Sequence, residues 1–289
     1  MAILPYIIRV SRPRFWVYLA GTYWTGVAAG VAAGITDINS YTNYWIYILL
    51  LFFLIPANIF LYGINDYFDQ DTDAINTKKG DKEVKISEYY KTVLKPILII
   101  SGLISLLLIV SAPSVVIAIL LSLFFFLSVF YSAPPLRFKQ YPFIDFLSNS
   151  LYIIPGIIGY TLVTNTLPSL VSIGVLCCWA FSMHLFSAIV DIIPDKKAGI
   201  HTTAVVLGKQ TSLVLCCIFW FIFAFVPLIY RIGFPFNILL FIYPIIPLYM
   251  VFKEANIHRV YWWFPWINAG IGLLIYLYFT IHFLNTSFI

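Results

Sequence analysis

Residues 51–73 read LFFLIPANIFLYGINDYFDQDTD, an apolar run from Leu51 to Ile64 that passes directly into Asn65-Asp66-Tyr67-Phe68-Asp69-Gln70-Asp71-Thr72-Asp73. Four aspartates within eight residues adjoin, with no linker, a stretch apolar enough to lie in hydrocarbon. Asn65, Asp69 and Asp73 are spaced i, i+4, i+8, so on a continuing helix they line one face, drifting about 40° per step. Asp66 lies three before Asp69, on the adjoining stripe.

The rest of the chain has the same character. Of its 289 residues 62% are hydrophobic and 10% charged, with a mean hydropathy of +0.94. A soluble domain charges about a quarter of its residues, so this surface is not built to face water. Apolar runs recur from end to end with no polar domain between them, and residues 1–289 read as a single membrane-embedded domain. Crossing the hydrocarbon core takes about 20 apolar residues as a helix. Nine stretches qualify: 15–34, 44–63, 95–112, 114–131, 143–163, 170–190, 211–230, 236–252 and 260–283. Several contain Pro or Gly, which membrane helices tolerate. The expected fold is therefore all-α and polytopic, with nine transmembrane helices. No basic n-region or small-residue cleavage site marks a removable signal peptide. Cys177-Cys178 and Cys216-Cys217 are adjacent pairs inside apolar runs, without metal-ligand spacing, and read as core packing.

Charge placement gives the orientation. With the N-terminus cytoplasmic, every Lys and Arg except Arg231 falls on the inner side, and reversing the topology inverts that count. Basic residues in short loops decide orientation, so the expected topology is N-terminus in, C-terminus out. The net charge of +5 is then an orientation signal, and nucleic acid is not an expected partner. The same topology puts every acid except Asp37 on the cytoplasmic face, seven of them within 66–88.

That crowding points to cations. The helix carrying Asn65 runs inward, so the aspartates sit at its C-terminal, negative end and repel both one another and the dipole. A solvated acidic loop is the plain alternative, but ionisable groups at interface depth are costly and usually functional. Carboxylate oxygens suit Mg²⁺, which takes one or two of them together with substrate phosphates. Asp191-Ile192-Ile193-Pro194-Asp195-Lys196-Lys197-Ala198-Gly199 repeats the i, i+4 spacing at the inner end of the sixth span, where Pro194 is expected to kink or end the helix. A basic pair follows each site, Lys78-Lys79 and Lys196-Lys197, hinting at an internal duplication. The segment from Tyr131 to Lys139 adds Arg137 and Lys139, either positive-inside anchors or partners of a diphosphate. Buried among apolar helices, such a site would exclude water from an allylic carbocation, and aromatic faces would stabilise it. Tyr62, Tyr67, Phe68, Tyr131, Phe138 and Tyr152 lie near it in sequence. Of the four histidines only His184, inside a span, draws interest.

Asn65-xxx-Asp69-xxx-Asp73, together with Asp191-xxx-Asp195-xxx-Gly199 and the adjoining Ile200-His201-Thr202-Thr203-Ala204, resembles the UbiA superfamily of intramembrane prenyltransferases over nearly the whole chain. The resemblance implies a helical bundle with a central cavity and two Mg²⁺ ions bridging the Asp motifs to a prenyl diphosphate. Carried over, Asn65, Asp69 and Asp73 hold one ion and Asp191 and Asp195 the other; Asp66 assists, and Lys78, Lys79, Arg137 and Lys139 contact the diphosphate. Within the superfamily, Tyr131-SAPPLRFK-Lys139, Pro142-FIDFLSN-Asn149, Asn76-TKKGDKE-Glu83 and Pro194-DKKAGIHTTAVVLG-Gly208 look most like the lycopene elongases, which add C5 units from dimethylallyl diphosphate to lycopene. Lys78-Lys79-Gly80 replaces the Arg-Pro element of many quinone-pathway members. An aromatic quinone precursor or a glycerol-phosphate lipid is the alternative acceptor. A divalent-cation channel is the alternative outside enzymes, disfavoured because the span interiors are nearly free of acids. The implied setting is a cell membrane, with the active site on its cytoplasmic side.

Overall fold

The computed structural model describes residues 3–33, 42–69, 88–229, 233–253 and 256–287, and among them the regular structure is entirely helical. In chain order the helices are α1 (Ile3–Val10), α2 (Thr22–Ala32), α3 (Tyr44–Leu54), α4 (Pro56–Phe68), α5 (Glu88–Val110), α6 (Val115–Phe130), α7 (Ile144–Leu147) and α8 (Ile154–Thr164). They continue with α9 (Leu170–Lys197), α10 (Thr203–Ala224), α11 (Val226–Ile229), α12 (Phe236–Leu239), α13 (Ile242–Phe252), α14 (Ile257–Tyr261) and α15 (Phe264–Ser287). Six helical stretches are long and apolar enough to cross a membrane: Tyr44–Phe68, Thr92–Val110, Ile144–Thr164, Leu170–Lys197, Thr203–Leu228 and Ile257–Ile281. Val115–Phe130 and Phe236–Phe252 are shorter apolar helices. Leu103, Leu107, Val110, Ile119 and Leu170 are all exposed, as side chains facing lipid must be. The chain is a multi-pass membrane protein.

It packs as two compact units, one made of Met1–Leu136, Leu151–Pro168 and Asn268–Ile289, the other of Arg137–Ser150 and Ser169–Ile267. In the first, α2 and α8 approach through glycines. A Cβ at Gly26 would overlap the carbonyl oxygen of Gly156, and one at Gly159 would overlap that of Tyr23. Gly26 and Gly30 form a Gly-x-x-x-Gly face, the small-residue device that lets membrane helices touch backbone to backbone. The span expected over 44–63 is present within the Tyr44–Phe68 stretch, but its helix is interrupted at Ile55 (φ −122°, ψ −67°), where Pro56 has no N–H to continue the ladder. Asn58, fully buried, repairs the break: its Nδ2 donates to the stranded carbonyls of Phe53 (2.6 Å) and Leu54 (3.1 Å). Helix α1 lies outside the expected spans. Its Tyr6 and Val10 join Phe60, Ile64, Leu94 and Leu98 in one apolar cluster.

In the second unit α9 and α10 pack along their length. Ser182 Oγ donates to the Cys216 carbonyl (2.9 Å) and Cys216 Sγ points back at the Ser182 carbonyl (3.6 Å). All four cysteines are free thiols, consistent with a packing role. Trp220 stacks on Phe264 (5.1 Å) and meets Tyr243 (5.7 Å) and Phe186 (5.9 Å), forming the aromatic centre of this unit. The seventh expected span begins earlier than its apolar run: α10 starts at Thr203 and kinks at Gly208 (φ 74°, ψ 170°), a conformation that favours glycine.

Candidate active site

The first Asp motif is built on the last turn of α4. The helix continues past the apolar run through Phe68, and Asp69 is its C-cap, its N–H still donating to the Asn65 carbonyl (3.0 Å). The i, i+4 geometry therefore holds, and the two side chains meet: Asn65 Nδ2 donates to Asp69 Oδ2 (2.6 Å) and to Ser132 Oγ (2.9 Å). With both Nδ2 hydrogens committed, the remaining polar atom of the amide is Oδ1, an oxygen of the kind Mg²⁺ takes. Asp69 is buried at 4% exposure and Ser132 at 1%. Asp73, Lys78 and Lys79 lie outside the described residues.

Asp66 faces elsewhere. Its Oδ1 accepts from Arg12 Nη2 at 2.7 Å, with the two side chains 2% and 13% exposed. The same guanidinium stands 4.8 Å over the Tyr62 ring. Arg12 reaches this position because the chain turns there: α1 ends at Val10, Arg12 adopts the left-handed conformation (φ 49°), and a single 3₁₀ turn, Pro13–Phe15, leads into a π-helical turn, Val17–Gly21. Beneath the pair, Tyr62 OH and Tyr152 OH are 3.3 Å apart. Phe15 packs on Tyr62 (5.7 Å), Tyr18 lies edge-on to Tyr152 (6.1 Å), and Tyr18 OH accepts from Asn268 Nδ2 (3.2 Å). One of the crowded carboxylates is thus neutralised from within the chain. On the sequence, Arg12 counts only as an orientation charge; its position in Ser11-Arg12-Pro13-Arg14, just before the first span, was the available signal.

The second motif sits on the last turns of α9. Pro194 does not end the helix: α9 runs through it to Lys197 and stops at Gly199 (φ 70°). Ile200 N–H donates to the Asp195 carbonyl (2.9 Å) and Gly199 N–H to that of Lys196 (3.2 Å), the paired bonds of a Schellman cap. A proline in a membrane helix is carried when the freed carbonyl finds other partners, and the cap rather than the proline sets the end. Asp191 and Asp195, one turn apart and half-buried, therefore share a face. Lys196 and Lys197 in the last turn suit the negative helix end. Among the described residues no group of three or more His, Cys, Asp or Glu side chains gathers as a metal-binding cluster. The donors come as Asn65–Asp69 and Asp191–Asp195, all oxygen, which matches an ion completed by phosphate oxygens.

Arg137 and Lys139 belong to a turn-rich segment of the second unit. Arg137 is left-handed (φ 42°) and half-buried; Lys139, in the 3₁₀ turn Phe138–Gln140, is buried at 7% exposure. The span expected over 143–163 is present as the helical stretch Ile144–Thr164, which is not regular α-helix throughout. A short α7 and a 3₁₀ turn, Ser148–Tyr152, precede α8, and Ser148 Oγ and Asn149 Nδ2 bond back to the Asp145 carbonyl (2.9 and 2.7 Å). His184 lies half-buried within α9.

The apolar helices α4 and α9 thus carry an Asn/Asp and an Asp/Asp pair in their last turns. The UbiA prenyltransferase family model matches residues 19–262. The chain is 41% identical over 275 residues to a lycopene elongase/hydratase of Haloferax volcanii, covering 94% of this chain and 87% of that one. It is 41% identical over 272 residues to the same-named protein of Haloarcula japonica, covering 94% and 90%. Among solved structures, a UbiA homolog from Archaeoglobus fulgidus bound to DMAPP and Mg²⁺ superposes with a TM-score of 0.65 at 19% identity, over 96% of this chain and 98% of that one, which shows a common fold. The chain belongs to the UbiA prenyltransferase family, and it is a prenyltransferase.

Proposed function

We propose that this enzyme transfers a dimethylallyl group from its diphosphate to the end of lycopene or a closely related carotenoid, in a Mg²⁺-dependent reaction. The observation that carries the acceptor is the 41% identity with haloarchaeal lycopene elongase/hydratases over 275 residues, a span too long to leave out either Asp motif. On this reading Asn65, Asp69 and Asp73 hold one ion, and Asp191 and Asp195 a second. When bound, Mg²⁺ supplies the positive charge that lets diphosphate depart as an anion. Lys78, Lys79, Arg137 and Lys139 bind the phosphate oxygens. Arg12 satisfies Asp66, so that carboxylate serves the site by fixing Arg12 and the Tyr62 ring rather than by binding metal.

The chemistry is balanced within the two substrates. The allylic C–O bond breaks, with both electrons leaving on the diphosphate. A terminal alkene of the acceptor then supplies the pair for the new C–C bond, and the resulting tertiary cation loses a proton or takes up water. The apolar helices keep water from the first cation. The nine apolar runs and the basic residues between them support nine spans with the N-terminus cytoplasmic and the active face on that side. The two units are read as one prenyltransferase domain, since the chain passes between them four times and the family match runs across both.

The test is purified protein in vesicles with lycopene, labelled dimethylallyl diphosphate and Mg²⁺. C45 and C50 products by mass are expected, and Asp69→Ala or Asp191→Ala lowers turnover by at least about a hundredfold. Turnover of an aromatic or glycerol-phosphate acceptor with lycopene untouched overturns the carotenoid assignment.

A further inference from the structure

Asp145 is fully buried and lies outside both Asp motifs. The hydrogen bonds of its carboxylate converge on one junction. Oδ2 accepts from the Thr203 backbone N–H (2.8 Å), and Oδ1 accepts from the Phe146 N–H (2.8 Å) and from the Thr203 hydroxyl. The Thr203 hydroxyl in turn accepts from the Phe143 N–H (2.6 Å). The junction thus closes on itself, with a charged acceptor at its centre.

Its two sides carry the groups assigned to the diphosphate and the metal in the second unit. On one side, Lys139 is six residues before Asp145 and Arg137 eight before. Their segment is held by no helix of ordinary length, and it turns through positive φ at Arg137 (42°) and Phe143 (69°). On the other side, Thr203 is eight residues after Asp195 and opens the five-residue helical turn that Gly208 cuts off from the rest of α10. A turn that short does not hold its place alone. Thr202 Oγ1 caps it at Val205 N–H (3.3 Å), and Asp145 ties it down.

We propose that Asp145 is a positioning residue for the transfer reaction: through Thr203 it holds the Arg137–Lys139 segment in fixed register with the Asp191–Asp195 helix end, so that the basic and the metal-holding groups meet one diphosphate. The inference rests on the prenyl-transfer reading. It also explains why a carboxylate occupies a fully buried position at which backbone N–H groups and a hydroxyl are its donors. The apolar anchor of the segment is separate: Phe146 packs on Phe181 (5.5 Å) and Phe219 (5.7 Å). Changing Asp145 therefore loosens the register while that anchor keeps α7 in place.

The experiment compares wild type, Asp145→Asn, Thr203→Val and Thr203→Ser in vesicles. The readouts are circular dichroism, Mg²⁺-pyrophosphate binding by calorimetry, and separate KM values for dimethylallyl diphosphate and for lycopene. Asp145→Asn turns an acceptor into a donor opposite Thr203 N–H, and is expected to weaken pyrophosphate binding and raise the diphosphate KM by about tenfold or more, with the lycopene KM unchanged. Thr203→Val is expected to show the same selective shift more weakly, and Thr203→Ser, which keeps the hydroxyl and the N–H, to restore wild-type values within about twofold. If Asp145→Asn does not fold, the Thr203 pair carries the comparison. Wild-type pyrophosphate binding with folded Asp145→Asn or Thr203→Val equally tight, or both KM values moving together, overturns the positioning role alone. A wild-type protein that neither binds Mg²⁺-pyrophosphate nor turns over the allylic diphosphate overturns the transfer reading, and this inference with it.

Discussion

Replacing Arg12 by Met should be among the most damaging single changes outside the residues proposed to hold metal, and Asp66→Leu in the same chain should rescue most of it. The Arg12–Asp66 pair is closed at 2.7 Å with its carboxylate 2% exposed, so Arg12→Met leaves a buried negative charge without its counter-ion. Breaking a buried pair from one side costs about 3–5 kcal/mol, whereas replacing both partners by apolar side chains is often neutral. The lost guanidinium–Tyr62 contact, at 4.8 Å, adds about 0.5–1 kcal/mol. A multi-pass protein of this size has a margin on the order of 5–15 kcal/mol, so the single variant gives up a large part of it. At about 2 °C per kcal/mol for a long chain, the midpoint should fall by about 6–10 °C. The assay is a double-mutant cycle on reversible unfolding in mixed micelles, with Arg12→Met, Asp66→Leu and the double variant. A coupling energy of about 2 kcal/mol or more is expected. Additive losses, with the double variant worse than either single, would refute the claim that these two side chains neutralise each other.

Two further predictions concern packing. Gly159→Ala pushes a Cβ into the Tyr23 carbonyl and should destabilise by about 1–3 kcal/mol; Gly270→Ala, with nothing within 4 Å, should stabilise its helix by about 0.5–1 kcal/mol, and the opposite order in thermal unfolding would contradict the close approach of α2 and α8. Asn58→Leu strands the Phe53 and Leu54 carbonyls at the Pro56 break and should cost about 2–3 kcal/mol; an unchanged unfolding midpoint would show that these carbonyls have other partners.

Much of the helical layout was legible because hydrocarbon imposes a local rule: a long apolar segment must bond its own backbone, so helix follows from composition alone. Asn65–Asp69 and Asp191–Asp195 were legible for a related reason, since i, i+4 neighbours on a helix meet wherever the helix lies. The departures share a cause. Pro56 ends a helix and Pro194 does not, though both are prolines in apolar runs. At Pro56 a buried asparagine takes the stranded carbonyls and the chain bends; at Pro194 the helix continues to a glycine cap. Within the Ile144–Thr164 stretch the helix tightens to 3₁₀ over Ser148–Tyr152, where Ser148 and Asn149 bond back to the Asp145 carbonyl, a local detail that hydropathy does not register.

By itself the sequence determined that this chain is helical and membrane-embedded, and that it presents paired oxygen ligands at helix ends. These properties depend on what each short segment does in lipid, whatever surrounds it. Only the tertiary structure decided which buried charges are satisfied internally: Arg12 meets Asp66 from 54 residues away, and Asp145 meets Thr203 from 58. A buried carboxylate needs a partner at hydrogen-bond distance, and many distant residues could supply one. Packing alone selects which does, and so marks Asp66 and Asp145 as the aspartates whose partners lie far away in the chain.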